Sequence, residues 1–349
     1  MKIYVDSTFL GNKSGIGREA RSNFNSLLKL HNSEVEVVDP LSLILGANLL
    51  NRMFTRYLIL IKVLISGKPQ KFQLPSDCDV FFQPHIHSLV PKPGNYKYLI
   101  RLHDIFPITN PEWFHRRSSR LFKISLNHSL DKAIFISDSQ FTKDALAAFG
   151  GENVKVEVAL CVVHDIPREF CKNCDYCKRT EIPEIFYLSI GTIEPRKNYE
   201  FTLKVFSEEK YPLNRLLICG QVGWKSRKTV RNIKKIEKLG NVVWFQKICD
   251  GGIRELLFLS QGLISSSKAE GFNLPVAESL FLGKPVFLSD IDIHRELYPD
   301  STFFNLNVRS SLKATLLTKS ELKVRKPDWL DTLRLESRFT QIVQAQIKK

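Results

Sequence analysis

Short apolar segments alternate with helix-like segments along almost the whole chain, and this alternation restricts the fold more than any other feature. The segments typical of strands are KIYVD, VEVVD, DVFFQP, YLIRLHD, KAIFIS and VKVEVAL in the first half, and IFYLSIG, RLLICG, NVVWFQ, GLISSS and KPVFLS in the second. Segments such as IGREARSNFNSLLKL, SQFTKDALAAFG and YEFTLKVFSEE lie between them and are typical of helices. Repeated strand–helix–strand units predict parallel sheets with helices on both faces.

The predicted strands form two consecutive sets, and the polar segment 164–185, which carries two prolines, separates them. A chain of 349 residues is also longer than one typical domain. We therefore predict an N-terminal domain at 1–165, a linker at 166–184, a C-terminal domain at 185–325 and a terminal helix at 326–349. Ligands of such sheets bind beyond the carboxyl ends of the strands. We expect the site in a cleft between the domains, built from residues that follow strands.

The overall charge favours anionic partners. The chain has 51 basic and 36 acidic residues, a net charge of +15. Nucleic acid, phosphorylated small molecules and acidic membranes are the partners that such an excess suits, although the cations are spread out and simple solubility remains an alternative. No nucleic-acid motif accompanies the charge. The start, MKIYVDSTFL, is typical of a first strand rather than of a signal peptide. We expect a cytoplasmic protein that is peripheral on the inner face of the cell membrane.

The segment 41–66 is the most apolar part of the chain. Because Arg52, Arg56 and Lys62 interrupt it, no transmembrane helix is expected. On one helix these three cations fall within about one third of the circumference. Two interpretations stay open: a helix that lies in a membrane interface, or a core helix with one solvated face.

Three cysteines lie in the predicted linker with the spacing C-x2-C-x2-C: Cys171, Cys174 and Cys177. This spacing is typical of metal sites, and Cys161 or His164 just upstream would supply a fourth ligand. No second C-x2-C pair follows at the distance of a zinc ribbon. The sequence therefore favours reduced thiols in a reducing cytoplasm over a structural metal.

A glycine and two cations follow the predicted strand IFYLSIG. Gly191 allows a tight turn, and Arg196 and Lys197 follow at the expected start of a helix. Two cations there oppose the helix dipole. A diphosphate would balance them, since it accepts hydrogen bonds from backbone amides and from both cations. The alternative is an ordinary solvated loop.

Two glutamates eight positions apart follow the predicted strand GLISSS. Pro275 suits the first turn of a helix, Asn273 suits its cap, and Gly283 suits its end. Glu270 then lies in the loop, and Glu278 lies about one turn into the helix. Carboxylates accept hydrogen bonds from sugar hydroxyls, so one glutamate can hold a hexose and the other a ribose. Without other motifs, a surface loop and an ordinary amphipathic helix would explain the pair.

Taken together, the motifs resemble those of a known family. EGFNLPVAESLFLGKPV resembles the E-x7-E signature of family-4 glycosyltransferases, and GTIEPRKN resembles the phosphate loop of their mannosyltransferase-like members. LHDIFP, FISDSQFTKDAL and SGIGREA are similar to motifs of their first domain. The resemblance extends from about residue 3 to 305. It implies the α/β GT-B fold, with two Rossmann-like domains facing across a cleft and a C-terminal helix returning to the first domain.

The resemblance also implies a role for each motif in the transfer of a hexose from a nucleotide-sugar. Glu270 would hold the donor sugar, and Glu278 would bind the ribose. Arg196 and Lys197 would neutralise the departing diphosphate, and His103 would lie near the transferred sugar. The residues that would complete the binding site with backbone groups and close loop approaches are Gly15, Gly17, Gly191, Thr192, Gly271, Phe272, Asn273 and Leu274. No metal or other cofactor is expected, because cations and helix-end amides neutralise the diphosphate.

The chain departs from the family pattern at two positions. Many members carry arginine at the position of Thr192, so Arg196 is expected to take over that charge. Many members carry glycine at the position of Asn273, which puts the shape of the sugar pocket in doubt.

Five further polar residues follow predicted strands, and each keeps more than one interpretation. Asp104 orients His103, serves acceptor binding or caps the next turn. His85 and His87 face the acceptor, or form a metal pair. His294 and Glu296 contact the donor, or serve the structure alone.

The sequence therefore predicts a retaining glycosyltransferase. We expect it to move a hexose, mannose from GDP-mannose, onto a growing surface glycan such as a lipid-linked O-antigen or capsular oligosaccharide. UDP-glucose, UDP-galactose and UDP-N-acetylhexosamine remain open as donors. No carboxylate is a clear nucleophile, so a front-face route with the leaving phosphate as base is expected. The alternatives are a sugar-nucleotide epimerase of the same fold and, on charge alone, a nucleic-acid-binding protein.

Overall fold

The structure is a computed structural model, and it describes residues 1–12, 15–45, 52–179, 181–207, 215–317 and 324–347. The chain divides into two compact units. The first comprises Met1–Val162 and Thr332–Lys349, and the second comprises Val163–Asp331. The residues predicted as a linker, 166–184, thus belong to the second unit.

The first unit is built on a parallel sheet with the strand order β2-β1-β4-β6-β7-β8. Its strands are β1 (Lys2–Asp6), β2 (Glu34–Val38), β4 (Val80–Gln83), β6 (Lys97–Leu102), β7 (Ile134–Ser137) and β8 (Val156–Val158). Two more strands, β3 (Gln70–Phe72) and β5 (Leu89–Pro91), pair in a small separate sheet. The helices are α1 (Gly15–Leu28), α2 (Pro40–Leu45), α3 (Arg52–Ser66), α4 (Phe106–Thr109), α5 (Arg116–Ser129) and α6 (Gln140–Gly150).

The second unit contains a parallel sheet with the order β11-β10-β9-β12-β13-β14. Its strands are β9 (Phe186–Ile190), β10 (Arg215–Cys219), β11 (Val242–Phe245), β12 (Leu263–Ser265), β13 (Val286–Ser289) and β14 (Thr302–Phe304). Its helices are α7 (Tyr199–Phe206), α8 (Arg227–Glu237), α9 (Asp250–Leu259), α10 (Leu274–Phe281), α11 (Asp292–Leu297) and α12 (Arg309–Leu317). This is the strand order of a Rossmann-like sheet, in which the chain starts in the middle and winds outward in both directions.

The last helix, α13 (Thr332–Ile347), completes the first unit. Phe339, Ile342 and Val343 are buried against the face of the sheet that carries Ile3 and Val5 of β1. This packing explains why the terminal segment KPDWLDTLRLESRFTQIVQAQ has an apolar stripe. The helix begins at Thr332 rather than at the expected 326. The predicted α/β class, with two Rossmann-like sheets and a C-terminal helix that returns to the first, is confirmed.

Every strand predicted from the sequence is present, whereas three short ones were missed: β3, β5 and β14. Each has three residues. The strands β8 and β12 are equally short, but they lie within the longer predicted segments VKVEVAL and GLISSS. Within the segment 41–66 the structure describes α2 and α3, and residues 46–51, between them, lie outside the described part. Among the described residues, no helix combines the length and the apolar character needed to cross a bilayer.

Candidate functional site

The predicted donor-binding residues lie where the second sheet reverses its strand order. β9 and β12 are neighbours in the sheet, although two strands lie between them in the sequence. The carboxyl ends of two such strands diverge into loops that leave a crevice for a ligand. The loop 191–198 follows β9, and the loop 266–273 follows β12. The fold therefore brings the two motifs together.

Glu270 is the centre of this site. Its side chain is buried, and it pairs with Arg196 and with Lys197, whose Nζ lies 2.7 Å from Oε1. The Ser267 hydroxyl donates to Oε1 at 2.5 Å. Burial alone would raise the pKa of the Glu270 carboxyl, but Arg196 and Lys197 outweigh it and lower the pKa to about 2. The carboxylate is thus ionised in any physiological condition.

Arg196 is held by the protein on several sides. Its guanidinium donates to Glu194 at 2.8 Å from Nη2, to the Ala269 carbonyl at 2.9 Å from Nη1, and to Glu270. Burial raises the pKa of the Glu194 carboxyl despite the neighbouring Arg196 and Lys197. Glu194 was not singled out in the sequence, although its place beside two cations after a buried strand is a usable signal.

Arg196 and Lys197 do not oppose a helix dipole, contrary to the prediction. Arg196 and Lys197 lie in a short 3-10 turn, Pro195–Lys197, and α7 begins only after Asn198, whose φ of 51° is left-handed. Their charge is balanced by Glu194 and Glu270 instead. Any diphosphate bound here would therefore join an existing ionic cluster rather than meet two unpaired cations.

Gly191 shapes the start of the same loop. Its φ of 146° disfavours any side chain, and a Cβ there would lie 3.1 Å from Cε of Lys197. Tyr199 donates its hydroxyl to the Gly191 carbonyl at 2.7 Å. Thr192, which is half-buried, follows and packs its methyl against Gly223. The turn thus places the Lys197 side chain directly over the end of β9.

Three consecutive serines at the end of β12 organise the surrounding groups. Ser265 accepts a hydrogen bond from Asn273 Nδ2 at 2.9 Å. Ser266 donates to the carbonyl of Asn198 at 3.0 Å and so fixes the loop that carries Lys197. Ser267 donates to Glu270. Their polarity, at the end of an otherwise apolar strand, is the signal that sequence reasoning left unused.

Asn273 precedes α10 but does not cap it with its side chain. The side chain lies within hydrogen-bonding distance of Ser265 and, at 2.9 Å, of Nε2 of His294. The other ring nitrogen of His294 lies 2.9 Å from the Ser289 carbonyl, which makes Nδ1 the donor and Nε2 the acceptor. Burial lowers the pKa of His294, consistent with a neutral ring. His294 therefore positions Asn273, and Glu296 is exposed on α11.

The backbone conformation of Asn273 explains why asparagine suits a position where many members of the resembled family carry glycine. Its φ of 72° and ψ of 61° are left-handed, a conformation that glycine and asparagine adopt at least cost. Asparagine thus satisfies the backbone requirement that glycine meets elsewhere, and it adds two hydrogen bonds.

α10 carries the second glutamate and ends as predicted. Pro275 lies in its first turn, and Gly283 follows its end with a φ of 71°. Glu278 is buried one turn into the helix. The buried residues Gly271 and Phe272 lead into it, and the Phe272 carbonyl accepts a hydrogen bond from Tyr298 at 2.8 Å. Leu274 is the first residue of the helix. The Tyr298 hydroxyl therefore ties the loop before α10 to the end of α11.

The first unit contains a second buried ionic cluster, centred on His103. His103 Nδ1 lies 2.7 Å from Asp138 and 3.0 Å from Glu19. Arg101 Nε lies 2.5 Å from Glu19 and 2.7 Å from Asp138. Burial alone would lower the pKa of His103, but Asp138 and Glu19 outweigh it and raise the pKa well above its ordinary value. The imidazole is therefore held as a cation.

Nε2 of His103 is buried and has no hydrogen-bond partner among the described residues. Both ring nitrogens carry a proton in the cationic form, and Nδ1–H faces the two carboxylates, so Nε2–H is left to donate a hydrogen bond to a substrate oxygen. The sequence named His103 but missed Glu19, Arg101 and Asp138. Arg101 offered a signal, since an arginine inside an apolar strand needs buried partners.

His85 and His87 lie beside this cluster. The His85 ring stacks on His103 with centroids 5.3 Å apart, and burial, with the neighbouring His103 charge, lowers its pKa well below the ordinary value. His87 Nε2 lies 2.5 Å from Asp6, at the end of β1. Among the described residues, neither histidine belongs to a group of three or more side chains close enough to share a metal ion.

The remaining first-unit predictions concern loops. A Cβ at Gly17 would overlap the Asn12 carbonyl, so glycine is required where α1 meets the preceding loop, whereas Gly15 has open space around it. Ser14 lies outside the described residues. Asp104 accepts a hydrogen bond from the Phe106 amide at 3.1 Å, which confirms that it caps the next turn. The carboxylates that orient His103 are Glu19 and Asp138.

The prediction that Cys161 or His164 completes the group of linker cysteines was wrong. Cys161 is buried beside Glu19 and Asp138, whose charges Arg101 and His103 balance. The cysteine that joins Cys171, Cys174 and Cys177 is Cys249, at the start of α9. Neither Cys161 nor His164 is part of that group.

Comparisons with known proteins give a family match for part of the chain. Residues 178–301 match the family of glycosyl transferases group 1. The serotype-specific mannosyltransferase WbdA of Escherichia coli is 29% identical over 223 residues, which cover 58% of this chain and 27% of WbdA. The O-antigen chain mannosyltransferase B of Escherichia coli is 24% identical over 210 residues, which cover 57% of this chain and 54% of that protein. The chain thus spans between about a quarter and about half of the length of these relatives.

A solved structure covers almost the whole chain. Anabaena HepE in complex with UDP-glucose matches 99% of this chain and 100% of its own, with a TM-score of 0.67 and 13% sequence identity. At that identity, the likeness concerns the fold.

Proposed function

We propose that this chain, which belongs to the glycosyltransferases of the GT-B fold, transfers mannose from GDP-mannose to a growing O-antigen or a similar lipid-linked glycan. The proposal of mannose and of an O-antigen acceptor is supported by the likeness to the two Escherichia coli mannosyltransferases. The proposal of a nucleotide-sugar donor is supported by the likeness to a fold that holds UDP-glucose in HepE. The sugar-nucleotide epimerase considered from the sequence has no such support.

One observation carries the proposal: a buried, ionised glutamate is held by two cations at the point where the second sheet reverses its strand order. Burying charges is costly unless they are paired. A cluster of this kind, placed where sheets of this class bind ligands, is better explained by a binding site than by structure alone.

The donor would be held by groups on both loops. Lys197 is the better diphosphate ligand of the two cations, since an ammonium has three donors and can hold Glu270 and a phosphate oxygen together. Arg196 would act mainly by holding Glu270 in place, because its guanidinium already serves Glu194 and the Ala269 carbonyl. Glu270 would then accept from hydroxyls of the sugar, and Glu278 from the ribose.

The transfer would break the bond between the anomeric carbon and the leaving phosphate oxygen and form one to an acceptor hydroxyl oxygen. The hydroxyl proton would pass to the leaving phosphate, so the donor supplies its own base and the anomeric configuration is retained. Lys197 would stabilise the charge that develops on the diphosphate. The cationic His103 would donate its Nε2–H to a substrate oxygen. We propose no metal for this step, because these cations supply the neutralising charge.

A membrane surface is the proposed location of the acceptor, and α3 is the proposed contact. α3 buries Ile59 and Val63 in the first unit. Its opposite side exposes large apolar side chains: Met53, Phe54, Tyr57, Leu58 and Ile65. Met53 is 88% exposed and Ile65 is 80% exposed. The expectation of a core helix with only its basic face solvated does not account for this apolar side, whereas a helix in a membrane interface does.

Exposed cations flank this apolar side. Arg56 and Lys62 lie on α3 itself, and the side chain of Arg52 lies outside the described residues. The neighbouring helix α5 adds further exposed cations: Arg116, Arg117, Arg120 and Lys123. Such cations favour a surface of anionic lipids.

Thermal unfolding against a panel of nucleotide-sugars tests the donor, because a ligand that binds only the folded chain raises the melting temperature. We expect GDP-mannose to raise it most, by a few degrees at 100 times the dissociation constant. Transfer of labelled mannose to lipid-linked oligosaccharide then tests the reaction. Stabilisation by UDP-sugars alone would contradict the mannose donor, and release of free labelled sugar without a larger product would contradict transfer.

A further inference from the structure

We propose that Cys171, Cys174, Cys177 and Cys249 bind one zinc ion as a structural site. The four Sγ atoms lie within 4.8 Å of one another. The Cys174 Sγ lies 3.3 Å from that of Cys177 and 3.7 Å from that of Cys249, and the last two are 3.8 Å apart. This inference is independent of the proposed reaction.

These separations fit a metal rather than a disulfide. Four sulfurs at about 2.3 Å from a tetrahedral zinc are about 3.8 Å from one another. A disulfide would bring one pair to about 2.05 Å, and all four cysteines have free thiols. Four thiolates without an oxygen ligand or an open position are typical of structural zinc.

The surrounding backbone brings the two parts of the site together. Asp175, between the cysteines, accepts hydrogen bonds from the amides of Gln246 at 2.9 Å and Lys247 at 2.8 Å, just before Cys249. The Cys177 amide donates to the Cys174 sulfur at 3.4 Å, as amides often do to metal-bound thiolates. The cysteine-bearing loop is thus fixed to the end of β11 independently of the sulfurs.

Two glycines at the start of α9 allow this approach. A Cβ at Gly251 would overlap the Glu169 carbonyl, and a Cβ at Gly252 would lie 2.9 Å from the Tyr176 ring. The Tyr176 ring in turn packs on Phe245 of β11, with centroids 5.9 Å apart. The metal would therefore cross-link the segment that precedes β9 to the start of α9.

The metal content of the full chain, purified without a polyhistidine tag, tests the proposal. We expect one zinc per chain by mass spectrometry of the metal, retained on gel filtration. Cobalt added to the metal-free chain should give the visible bands of tetrahedral thiolate ligation. Cys249→Ser should lose the zinc, whereas Cys78→Ser, a buried cysteine of the first unit, should keep it. A strong chelator should lower the melting temperature of the wild type by about 5 °C or more.

Several outcomes would overturn the proposal. They are zinc well below one per chain in freshly reduced wild type, cobalt spectra without thiolate bands, and iron with sulfide in place of zinc. A Cys174–Cys177 disulfide in the native chain would also overturn it. The wild-type and cobalt measurements do not depend on whether the Cys249→Ser variant folds. None depends on sugar transfer, so the proposed reaction and the zinc site fail or succeed separately.

Discussion

Glu270 shows how the environment of one residue decides its chemistry. Burial alone would favour the neutral acid, yet Arg196 and Lys197 hold the carboxyl ionised, with a pKa of about 2. An ionised carboxylate that accepts hydrogen bonds strongly is what binding a sugar hydroxyl requires. The same pairing keeps the two cations in place before any donor binds.

Replacing Glu270 by Gln tests this role. The change leaves Arg196 and Lys197 facing a neutral amide, so we expect transfer to fall on the order of 100-fold and stability to fall by about 3 kcal/mol. Unfolding should remain cooperative. Glu184→Gln, at an exposed glutamate of the second unit, is the matched control and should change neither quantity. Near-normal transfer by the Glu270→Gln variant would remove Glu270 from the site.

The His103 cluster predicts a dependence of stability on pH. His103 has a pKa raised above its unfolded value by Asp138 and Glu19, so its stabilising contribution is complete below about pH 6.5 and is lost as pH rises above it. The free energy of unfolding should fall with pH by up to about 1.4 kcal/mol per unit relative to His103→Gln. Urea unfolding at several pH values from 6.5 to 9 measures this difference. Parallel curves for the two proteins would contradict a cationic His103.

At the residue scale, the sequence predicted the residues that motifs mark and missed those that only packing brings together. Glu270, Arg196 and Lys197 were named, and they meet in space. Glu19 and Asp138 were not named, because Glu19 lies on α1 and Asp138 follows β7, and the two meet only around Arg101 and His103 in the folded unit. Cys249 was missed for the same reason: about seventy residues separate it from the other cysteines.

At the scale of elements, α10 depends on the residue before it. Asn273 adopts a left-handed backbone and bonds Ser265 and His294 through its side chain. The family resemblance alone raised doubt about the pocket at this position. The left-handed backbone at position 273 is the physical reason that both asparagine and glycine suit this position.

Two substitutions separate the backbone from the side chain at Asn273. Asn273→Gly and Asn273→Ala both lose the two hydrogen bonds, but only Ala must force a Cβ into the left-handed region. We expect the Ala variant to be less stable than the Gly variant by about 1 kcal/mol. Chemical denaturation of the two variants measures the difference. Equal stability would mean that the loop before α10 relaxes to another conformation.

The exposed side of α3 predicts binding to anionic vesicles. Phe54→Ser with Ile65→Ser removes two exposed apolar side chains, and we expect most of the protein to leave vesicles that contain phosphatidylglycerol. Leu333→Ser, an exposed leucine on α13, is the matched control and should bind as the wild type does. Co-sedimentation measures the bound fraction.

The charges around α3 are tested in the same assay. Arg52, Arg56 and Lys62 changed to Gln should weaken binding to anionic vesicles, and added salt should weaken the wild type similarly. Unchanged sedimentation of both sets of variants would end the membrane-helix proposal. The sequence left this point open, because the pattern 41–66 does not say which side of the helix the first unit covers.

At the scale of the whole molecule, both units use one architecture in the same way. The second sheet starts in its middle and the first starts one strand from its edge, but each places a buried ionic cluster after a central strand: His103 after β6, and Glu270 after β12. The alternating pattern predicted both sheets because parallel strands are long apolar runs. It did not predict β14, which is short and outside the predicted apolar segments, or the start of α13, because helix ends leave little trace in sequence.

The most direct measurement is a crystal structure of the chain with saturating GDP-mannose. The account predicts the diphosphate within hydrogen-bonding distance of Lys197 Nζ, the ribose on Glu278 and hydroxyls of the mannose on Glu270. A saturated complex with the nucleotide-sugar bound elsewhere, and Glu270 still paired with both cations and touching no ligand, would contradict it.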